Sequence, residues 1–233
     1  TRAQIAASAH VMPWDDRADF DDTTRGFVGK ASTRQITTAD GDAVWDLDAY
    51  DFLRDTDPED APDTAHPSLW RQGRLLIEDG LFEVTEGIYQ LRGFDLSVMS
   101  VVETDSGVIV IDTLVSTETA AAAFALYVEH RGMRPVRAMI YTHSHIDHFG
   151  GVGGILTADQ VEAEGIAVIA PEGFLDHAIA ENVFAGTAMA RRAGYMFGAA
   201  LTRGPAGQIG AGLGQTTSTG TVGLIPPNVE ITH

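Results

Sequence analysis

Alternation of apolar and polar positions begins near residue 81 and predicts a series of short β-strands. Four runs rich in β-branched residues carry this pattern, and glycine-containing turn signals separate them: residues 81–84, 88–92, 96–103 and 108–112. The segment Asp105-Ser106-Gly107 lies between the last two runs and therefore predicts a hairpin. After residue 115 the apolar positions change to a spacing that is typical of helices.

Helices alternate with strands in the second half of the chain. Ser116 is the predicted start of an alanine-rich helix that extends to about His130, and Glu118 lies in its first turn, where the helix dipole favours an acid. Apolar runs at residues 136–142 and 166–170 predict two more strands with a short helix between them, and residues 171–200 predict one long helix. Residues 204–225 are rich in glycine and threonine and predict a loop. Hairpins followed by this alternation indicate an α/β fold with a mixed sheet covered by helices.

The first 80 residues differ in composition and predict an acidic, aromatic N-terminal arm. Residues 1–65 contain fifteen acidic and six basic side chains, and six aromatic residues are spaced through them: Trp14, Phe20, Phe27, Trp45, Tyr50 and Phe52. A disordered tail carries fewer aromatic residues, so we expect an extended arm whose rings dock on the body, with a short helix near residues 43–54. A solvated linker is the alternative interpretation.

Charge and cysteine content exclude several classes of function. The 233-residue chain has 15 Lys and Arg against 33 Asp and Glu, which gives a formal net charge of −18. Such a chain repels nucleic acids and anionic membranes at long range, so we expect no nucleic-acid partner. The absence of cysteine excludes thiol catalysis, disulfides and Cys-ligated metals. The sequence contains no apolar run of membrane-spanning length and no visible signal peptide.

The strongest chemical signal follows the apolar run 136–142 and reads His143-x-His145-x-Asp147-His148. Alternate residues of an extended segment share a side, so we expect His143, His145 and Asp147 to converge, while His148 points away until the chain turns and serves a second ion. Three imidazoles and a carboxylate suit zinc best, with iron or manganese as alternatives. Two divalent ions about 4 Å apart would generate a nucleophilic hydroxide and clamp an anionic group.

This motif after an apolar strand resembles the metal motif of the metallo-β-lactamase superfamily. Within that family the chain is most similar to the zinc-dependent alkylsulfatases, which hydrolyse dodecyl sulfate and related detergents. The stretches that carry the resemblance are residues 81–90, 142–151, 170–174 with 181–182, 188–196 and 212–221, together with the acidic aromatic arm. The resemblance therefore extends over nearly the whole chain.

The resemblance implies a fold, a metal site and a longer protein. Residues 81–233 would form the N-terminal part of a metallo-β-lactamase αββα sandwich, preceded by the arm at residues 1–80. His143 and His145 would hold one zinc ion, Asp147 and His148 the other, and Asp147 would orient the attacking water. In the family, two glutamates and a further histidine from later in the chain complete the site. They are not evident here, so the chain resembles the front part of such an enzyme.

The same resemblance implies hydrolysis of alkyl sulfate esters to alcohol and sulfate at a two-zinc site. The implied partners are the alkyl sulfate, the remainder of the same enzyme and a second copy in a homodimer. A secreted or periplasmic location in a bacterium is expected on the same basis. Two alternatives stay open: another hydrolase of the superfamily that acts on a lactone, thioester or phosphoester, and an inactive metal-binding fragment.

Several further side chains allow two interpretations each. Asp112, at a predicted strand end, either orients the metal loop or caps the next helix. Three residues of the predicted long helix either replace the missing metal ligands or are ordinary helix residues: Glu172, Glu181 and His177. Arg191 and Arg192 either attract a sulfate group or form an exposed pair on a helix. The apolar side chains of the same region either line a channel for an alkyl chain or pack in the core; they are Met189, Tyr195, Met196 and Phe197. Residues 210–215 form a backbone nest for a sulfate oxygen or a permissive loop.

Overall fold

An eight-stranded mixed sheet forms the centre of the fold in the computed structural model, which describes residues 2–9 and 11–232. Its strands, in spatial order, are β1 (Phe27–Gly29), β4 (Gly80–Thr85), β5 (Ile88–Arg92), β6 (Met99–Thr104), β7 (Gly107–Ile111), β8 (Val136–Ile140), β9 (Ala167–Pro171) and β10 (Val229–Ile231). Two further strands, β2 (Gln35–Thr37) and β3 (Ala43–Asp46), pair separately. The α-helices are α1 (Arg2–Ala9), α2 (Ala18–Thr24), α3 (Pro67–Leu76), α4 (Thr117–Arg131), α5 (Ile146–Phe149), α6 (Ala158–Glu164), α7 (Phe174–Ile179) and α8 (Gly186–Phe197).

The pairing of neighbouring strands changes once across the sheet, from antiparallel to parallel. Neighbours from β1 to β7 are antiparallel, and the predicted hairpin joins β6 to β7 through the Thr104–Gly107 pair. From β7 to β10 the strands are parallel, which requires crossover connections such as the one that α4 supplies between β7 and β8. The predicted α/β fold with a mixed sheet is therefore confirmed. Among the described residues, no helix is long and apolar enough to cross a bilayer.

The two faces of the sheet are buried to different degrees. Tyr89, Val101 and Val110 point toward α4 and are at most 2% exposed, and the Tyr127 ring of α4 lies 5.9 Å from that of Tyr89. On the opposite face, side chains in register across the strands are apolar but only partly buried; these include Ile88, Val102, Ile109, Ile111, Ile140 and Ile169. The described residues thus build one sheet with its helical cover, as expected for the N-terminal part of an αββα sandwich.

The segment before β4 contains more regular structure than an extended arm. β1 adds an antiparallel strand to the main sheet, and the predicted docking of aromatic side chains occurs at Trp45 and Tyr50, which are 4% and 1% exposed. The short helix predicted near residues 43–54 is wrong. Those residues form β3 and a 3₁₀ turn at Asp51–Leu53, because pairing with β2 satisfies the backbone while Val44 and Trp45 enter the core.

The long helix predicted over residues 171–200 is also wrong in its start and its continuity. It begins at Phe174, since Gly173 adopts a left-handed conformation with φ of 76° and Pro171 still belongs to β9. A π-helical turn, Ala180–Phe184, then separates α7 from α8. Val183 and Phe184 are 71% and 85% exposed, so helical spacing of apolar residues does not place them in the core.

A buried carboxylate ties together three segments that are distant in sequence. Asp95, between β5 and β6, is 3% exposed and accepts hydrogen bonds from the backbone N–H groups of Val115 and Ser218 at 3.2 and 3.0 Å. The hydroxyls of Thr119 and Ser218 donate to the same carboxylate at 3.0 and 2.6 Å. Burial raises the pKa of Asp95, and these hydrogen bonds oppose that effect. The start of α4 and the loop around residue 218 are therefore anchored at one point.

We expect Asp95→Asn to lower the free energy of unfolding by about 2–3 kcal/mol, because an amide nitrogen would face buried N–H and O–H donors. Urea denaturation at pH 7 measures the change. Asp105→Asn, in the exposed β6–β7 turn, is the matched control and should stay within about 0.5 kcal/mol of the parent. Equal effects of the two substitutions would contradict the anchoring role of Asp95.

Candidate metal centre

The histidine motif lies at the carboxyl end of β8, on a base of packed aromatic rings. Tyr141, directly after the strand, is fully buried; its ring stacks on Phe174 at 5.2 Å and meets Phe149 edge-on at 6.2 Å. Its hydroxyl donates to the carbonyl of Ile225 at 3.2 Å. Because both Tyr141 and Phe149 are buried, the motif between them is held at both ends and displays its polar side chains outward.

Asp112 connects the two ends of the motif. It follows β7 with φ of 58°, a left-handed conformation that aspartate tolerates better than most residues. Its carboxylate accepts hydrogen bonds from the backbone N–H of Thr142 at 2.8 Å, from the Thr142 hydroxyl at 2.8 Å and from Nδ1 of His148 at 2.7 Å. Of the two roles open for Asp112, the structure supports orientation of the metal loop; the residue before α4 is Ser116.

The four motif side chains come together. Nε2 of His143 faces Nδ1 of His145 at 3.1 Å, and the rings of His143 and His148 are 4.0 Å apart. Nε2 of His148 lies 3.2 Å from an oxygen of Asp147. His148 therefore does not point away from the other three. The expected extended run stops at His145, because the single turn of α5 begins at Ile146 and folds His148 back toward His143.

Charge pairing shapes the protonation of these groups. Burial lowers the pKa of His143, and the neighbouring His148 and His145 lower it further. Burial also opposes a charge on His148, but the hydrogen bonds that its ring donates to Asp112 and Asp147 outweigh this effect and raise the pKa of His148 to about 9. Burial disfavours the Asp147 carboxylate, yet the hydrogen bond and charge of His148 leave the pKa of Asp147 below its usual value. The motif thus combines His143, whose lowered pKa favours the neutral ring that can bind a metal, with a closely paired imidazole and carboxylate, His148 and Asp147.

The donor types suit zinc, although the set among the described residues is incomplete. Two nitrogens that bind one tetrahedral zinc at 2.0–2.1 Å lie about 3.3 Å apart, close to the 3.1 Å between His143 and His145. Across the described part of the chain, however, no three His, Asp or Glu side chains are arranged as a ready-made metal site. The residues present therefore fit part of a coordination sphere.

A largely apolar cavity of about 520 Å³ opens beside the motif. His145, Asp147 and His148 form its polar wall. One face of α8 forms an apolar part of the lining through Met189, Ala193 and Phe197, which follow one another at helical spacing, and Leu96 and Leu213 also line the cavity. Met189 and Phe197, two of the residues considered for an alkyl channel, line this cavity; Tyr195 and Met196 are 88% and 68% exposed.

Of the remaining candidate residues that the structure describes, one lines the cavity and the others are exposed on the surface. Glu181 lines the same cavity, and its Oε1 lies 3.5 Å from Nε2 of His145. Glu172 and His177 are exposed, as are Arg191 and Arg192 on α8. His233 lies outside the described residues. Glu181 is thus the one of the three proposed substitute ligands that reaches the motif, a position that helical spacing alone does not reveal.

Comparisons with known proteins agree with this geometry. A family model described as the metallo-beta-lactamase superfamily matches residues 92–228, more than half of the chain. The chain is 51% identical over 227 residues to a linear primary-alkylsulfatase from Pseudomonas sp., covering 97% of this chain and 33% of that protein. An alkyl/aryl-sulfatase from Saccharomyces cerevisiae is 45% identical over 223 residues, covering 96% and 34%.

A solved structure extends the agreement to three dimensions. The stereoselective inverting sec-alkylsulfatase from Pseudomonas sp. superimposes with a TM-score of 0.91 at 46% identity, over 100% of this chain and 36% of that one. The chain therefore spans about a third of the length of the relatives that it matches.

Glycines after the motif allow it to pack against the start of α4. A Cβ atom at Gly151 would lie 2.1 Å from the carbonyl oxygen of Thr113 and 2.8 Å from Cβ of Ala120. We expect Gly151→Ala to lower the free energy of unfolding by about 3 kcal/mol or more, since backbone atoms must move. Urea denaturation measures the loss.

Gly194→Ala is the matched control. Gly194 lies inside α8, and no atom lies within 4 Å of an added Cβ. The substitution should raise stability by about 0.5–1 kcal/mol through helix propensity. A Gly151→Ala protein as stable as the parent would show that the motif is not packed as described.

Proposed function

Because the chain belongs to the metallo-β-lactamase superfamily, we propose that it is the metal-binding portion of an alkylsulfatase. The reaction is hydrolysis of an alkyl sulfate ester to an alcohol and sulfate. The observation that carries the proposal is the apolar cavity that opens directly on the histidine motif, since it offers an alkyl site next to a site for an anionic head group. The names of the similar enzymes support the same substrate class.

The proposed cofactor is zinc, with two ions in the complete site. His143 and His145 would hold one ion, and Asp147 and His148 the other. Zinc in such a site supplies Lewis acidity toward the sulfate oxygens and brings the pKa of water to about 7. Residues beyond this third of the protein would complete both coordination spheres, which agrees with the incomplete donor set of the described residues.

The chain's own residues would bind and orient the reactants. Asp147 places a carboxylate oxygen at the cavity wall, where it would accept a hydrogen bond from the attacking water and hold its proton. Met189, Ala193 and Phe197 would bury the alkyl chain, which contributes about 0.8 kcal/mol for each CH₂ removed from water. The same apolar wall would exclude bulk water from the ester and so strengthen the electrostatic interactions around it.

The net charge of −18 is compatible with an anionic substrate. Screening limits the repulsion between the protein and a free alkyl sulfate to a Debye length of about 10 Å at 0.1 M salt. Inside the cavity the local charge decides, and two divalent ions held by the motif would supply positive charge beside the sulfate group. The acidity would instead favour solubility and, by repulsion, keep the protein away from nucleic acids.

Three further features belong to the proposal. The full-length protein would be a homodimer, would use its remaining length to complete the active site, and would be secreted or periplasmic in a bacterium. The incomplete donor set favours a second candidate, in which this chain alone binds metal without turnover. The two candidates differ in what the isolated chain does, and they agree on the full-length enzyme.

Sulfate release tests the proposal. The full-length protein with zinc should release sulfate from dodecyl sulfate and from secondary alkyl sulfates, and the 233-residue chain should release much less. Nitrocefin, a lactone, a thioester and a phosphoester serve as competing substrates. Reaction in ¹⁸O-labelled water shows which bond breaks, because attack on sulfur labels sulfate and attack on carbon labels the alcohol. Turnover of a competing substrate without sulfate release would overturn the assignment.

Metal analysis tests the ligand assignment separately. We expect His143→Ala in the full-length protein to lower bound zinc by about one ion per chain, because one tetrahedral site loses a protein ligand. His177→Ala removes an exposed histidine of α7 and should leave the zinc content unchanged. Elemental analysis after dialysis gives both values. Unchanged zinc in His143→Ala would refute this residue as a ligand.

A further inference from the structure

Glu181 lies on an irregular part of its helix. It belongs to the π-helical turn Ala180–Phe184 between α7 and α8. Such turns occur often at functional sites, because the wider turn changes the direction in which the following side chains project. Here the turn lets the Glu181 carboxylate and the apolar face of α8 line the same cavity. The acidic side chain and the apolar wall are thus presented together.

The contact of Glu181 is with one particular nitrogen of His145. Oε1 of Glu181 lies 3.5 Å from Nε2 of His145, whereas Nδ1 of the same ring faces His143 at 3.1 Å. The two nitrogens of His145 therefore have different surroundings: one faces the shared centre and the other faces a carboxylate. The His145 side chain is 57% exposed, so no packed neighbour fixes its ring on all sides.

The other two imidazoles of the motif show the same division. Nδ1 of His143 contacts the Thr142 hydroxyl at 3.0 Å, and its Nε2 faces the centre. Nδ1 of His148 contacts Asp112 at 2.7 Å, and its Nε2 lies beside Asp147. Metal-binding histidines usually donate their second N–H to an oxygen, which fixes the tautomer and the orientation of the ring. For His145, among the described residues, the oxygen beside the second nitrogen is that of Glu181.

We propose that Glu181 is a positioning residue for His145. Its carboxylate accepts the Nε2–H of His145 and thereby leaves Nδ1 unprotonated and directed toward the metal centre. This positioning role depends on the proposed function only in that zinc is the ion to be bound. The tautomer of His145 is a property of the chain and can be measured without zinc. Glu181 does not contact the ion in this arrangement.

Zinc affinity of the full-length protein tests the proposal. By chelator competition, Glu181→Ala should weaken one zinc site 10- to 100-fold while saturating zinc still gives the parental stoichiometry. Glu181→Gln keeps an acceptor oxygen and should recover most of the loss. Asp176→Ala, an exposed acid on α7, is the matched control for loss of charge and should behave as the parent.

Nitrogen NMR of the zinc-free protein gives a second readout. The parent should show His145 protonated at Nε2, with its Nδ1 accepting the Nε2–H of His143 across the 3.1 Å that separates them, and Glu181→Ala should shift part of the His145 population to protonation at Nδ1, with Glu181→Gln closer to the parent. Parental affinity and tautomer in Glu181→Ala would overturn the proposal. Loss of one whole ion at saturating zinc would overturn it in favour of direct ligation.

The two proposals can fail separately. A parent protein that binds no zinc would refute the proposed function, while the NMR comparison would still decide the role of Glu181. If the parent binds zinc but the His145 tautomer is the same with and without Glu181, the proposed function stands and the positioning role of Glu181 is refuted.

Discussion

The geometry of the candidate metal centre depends on the carboxylate of Asp112. It stands where β7 ends, and it accepts hydrogen bonds from the Thr142 backbone and from His148, so one group holds both ends of the motif. This is possible because β7 and β8 are parallel neighbours, which brings their carboxyl ends to the same edge of the sheet. A charged acceptor that binds several donors is difficult to replace by water, so the loop has one preferred conformation.

The scaffold around that carboxylate is built to hold the loop still. Glycine at position 151 lets the motif approach the start of α4 to within a distance that any side chain would block. Asp95 anchors the same end of α4 to the loop around residue 218. Below the motif, the stacked rings of Tyr141 and Phe174 fill the core. Rigid support of this kind is what a metal site needs, since ligand positions must be kept within a fraction of an ångström.

Polar and apolar side chains line the same cavity, and different elements of the fold supply them. The strand end and α5 provide the polar wall, while the face of α8 provides the apolar wall. The π-helical turn lies directly before α8 and contains Glu181, whose carboxylate lies beside His145. The cavity is therefore amphiphilic, as the proposed alkyl sulfate substrate requires. The partly exposed apolar face of the sheet and the incomplete donor set agree with the third of the relatives' length that the chain spans.

Local sequence patterns were enough to locate the elements and the candidate chemistry that depend on neighbours along the chain. Strand alternation located β4 to β9, the Asp105-Ser106-Gly107 turn located the hairpin, and the spacing of three histidines and an aspartate identified the candidate metal ligands. Where local signals competed, prediction was less successful. Residues 43–54 form a strand and a turn because pairing with β2 outweighs their helical pattern, and a π-helical turn interrupts the long helix.

The three-dimensional fold determines which distant residues contact the motif. Asp112 is 30 and 36 residues from its partners Thr142 and His148, and Glu181 reaches His145 across a helix boundary. It also decided that His148 turns back toward His143, since that depends on where α5 begins. Periodicity and spacing describe one segment at a time, whereas these contacts arise from the order of strands in a sheet and from the direction in which a helix leaves it.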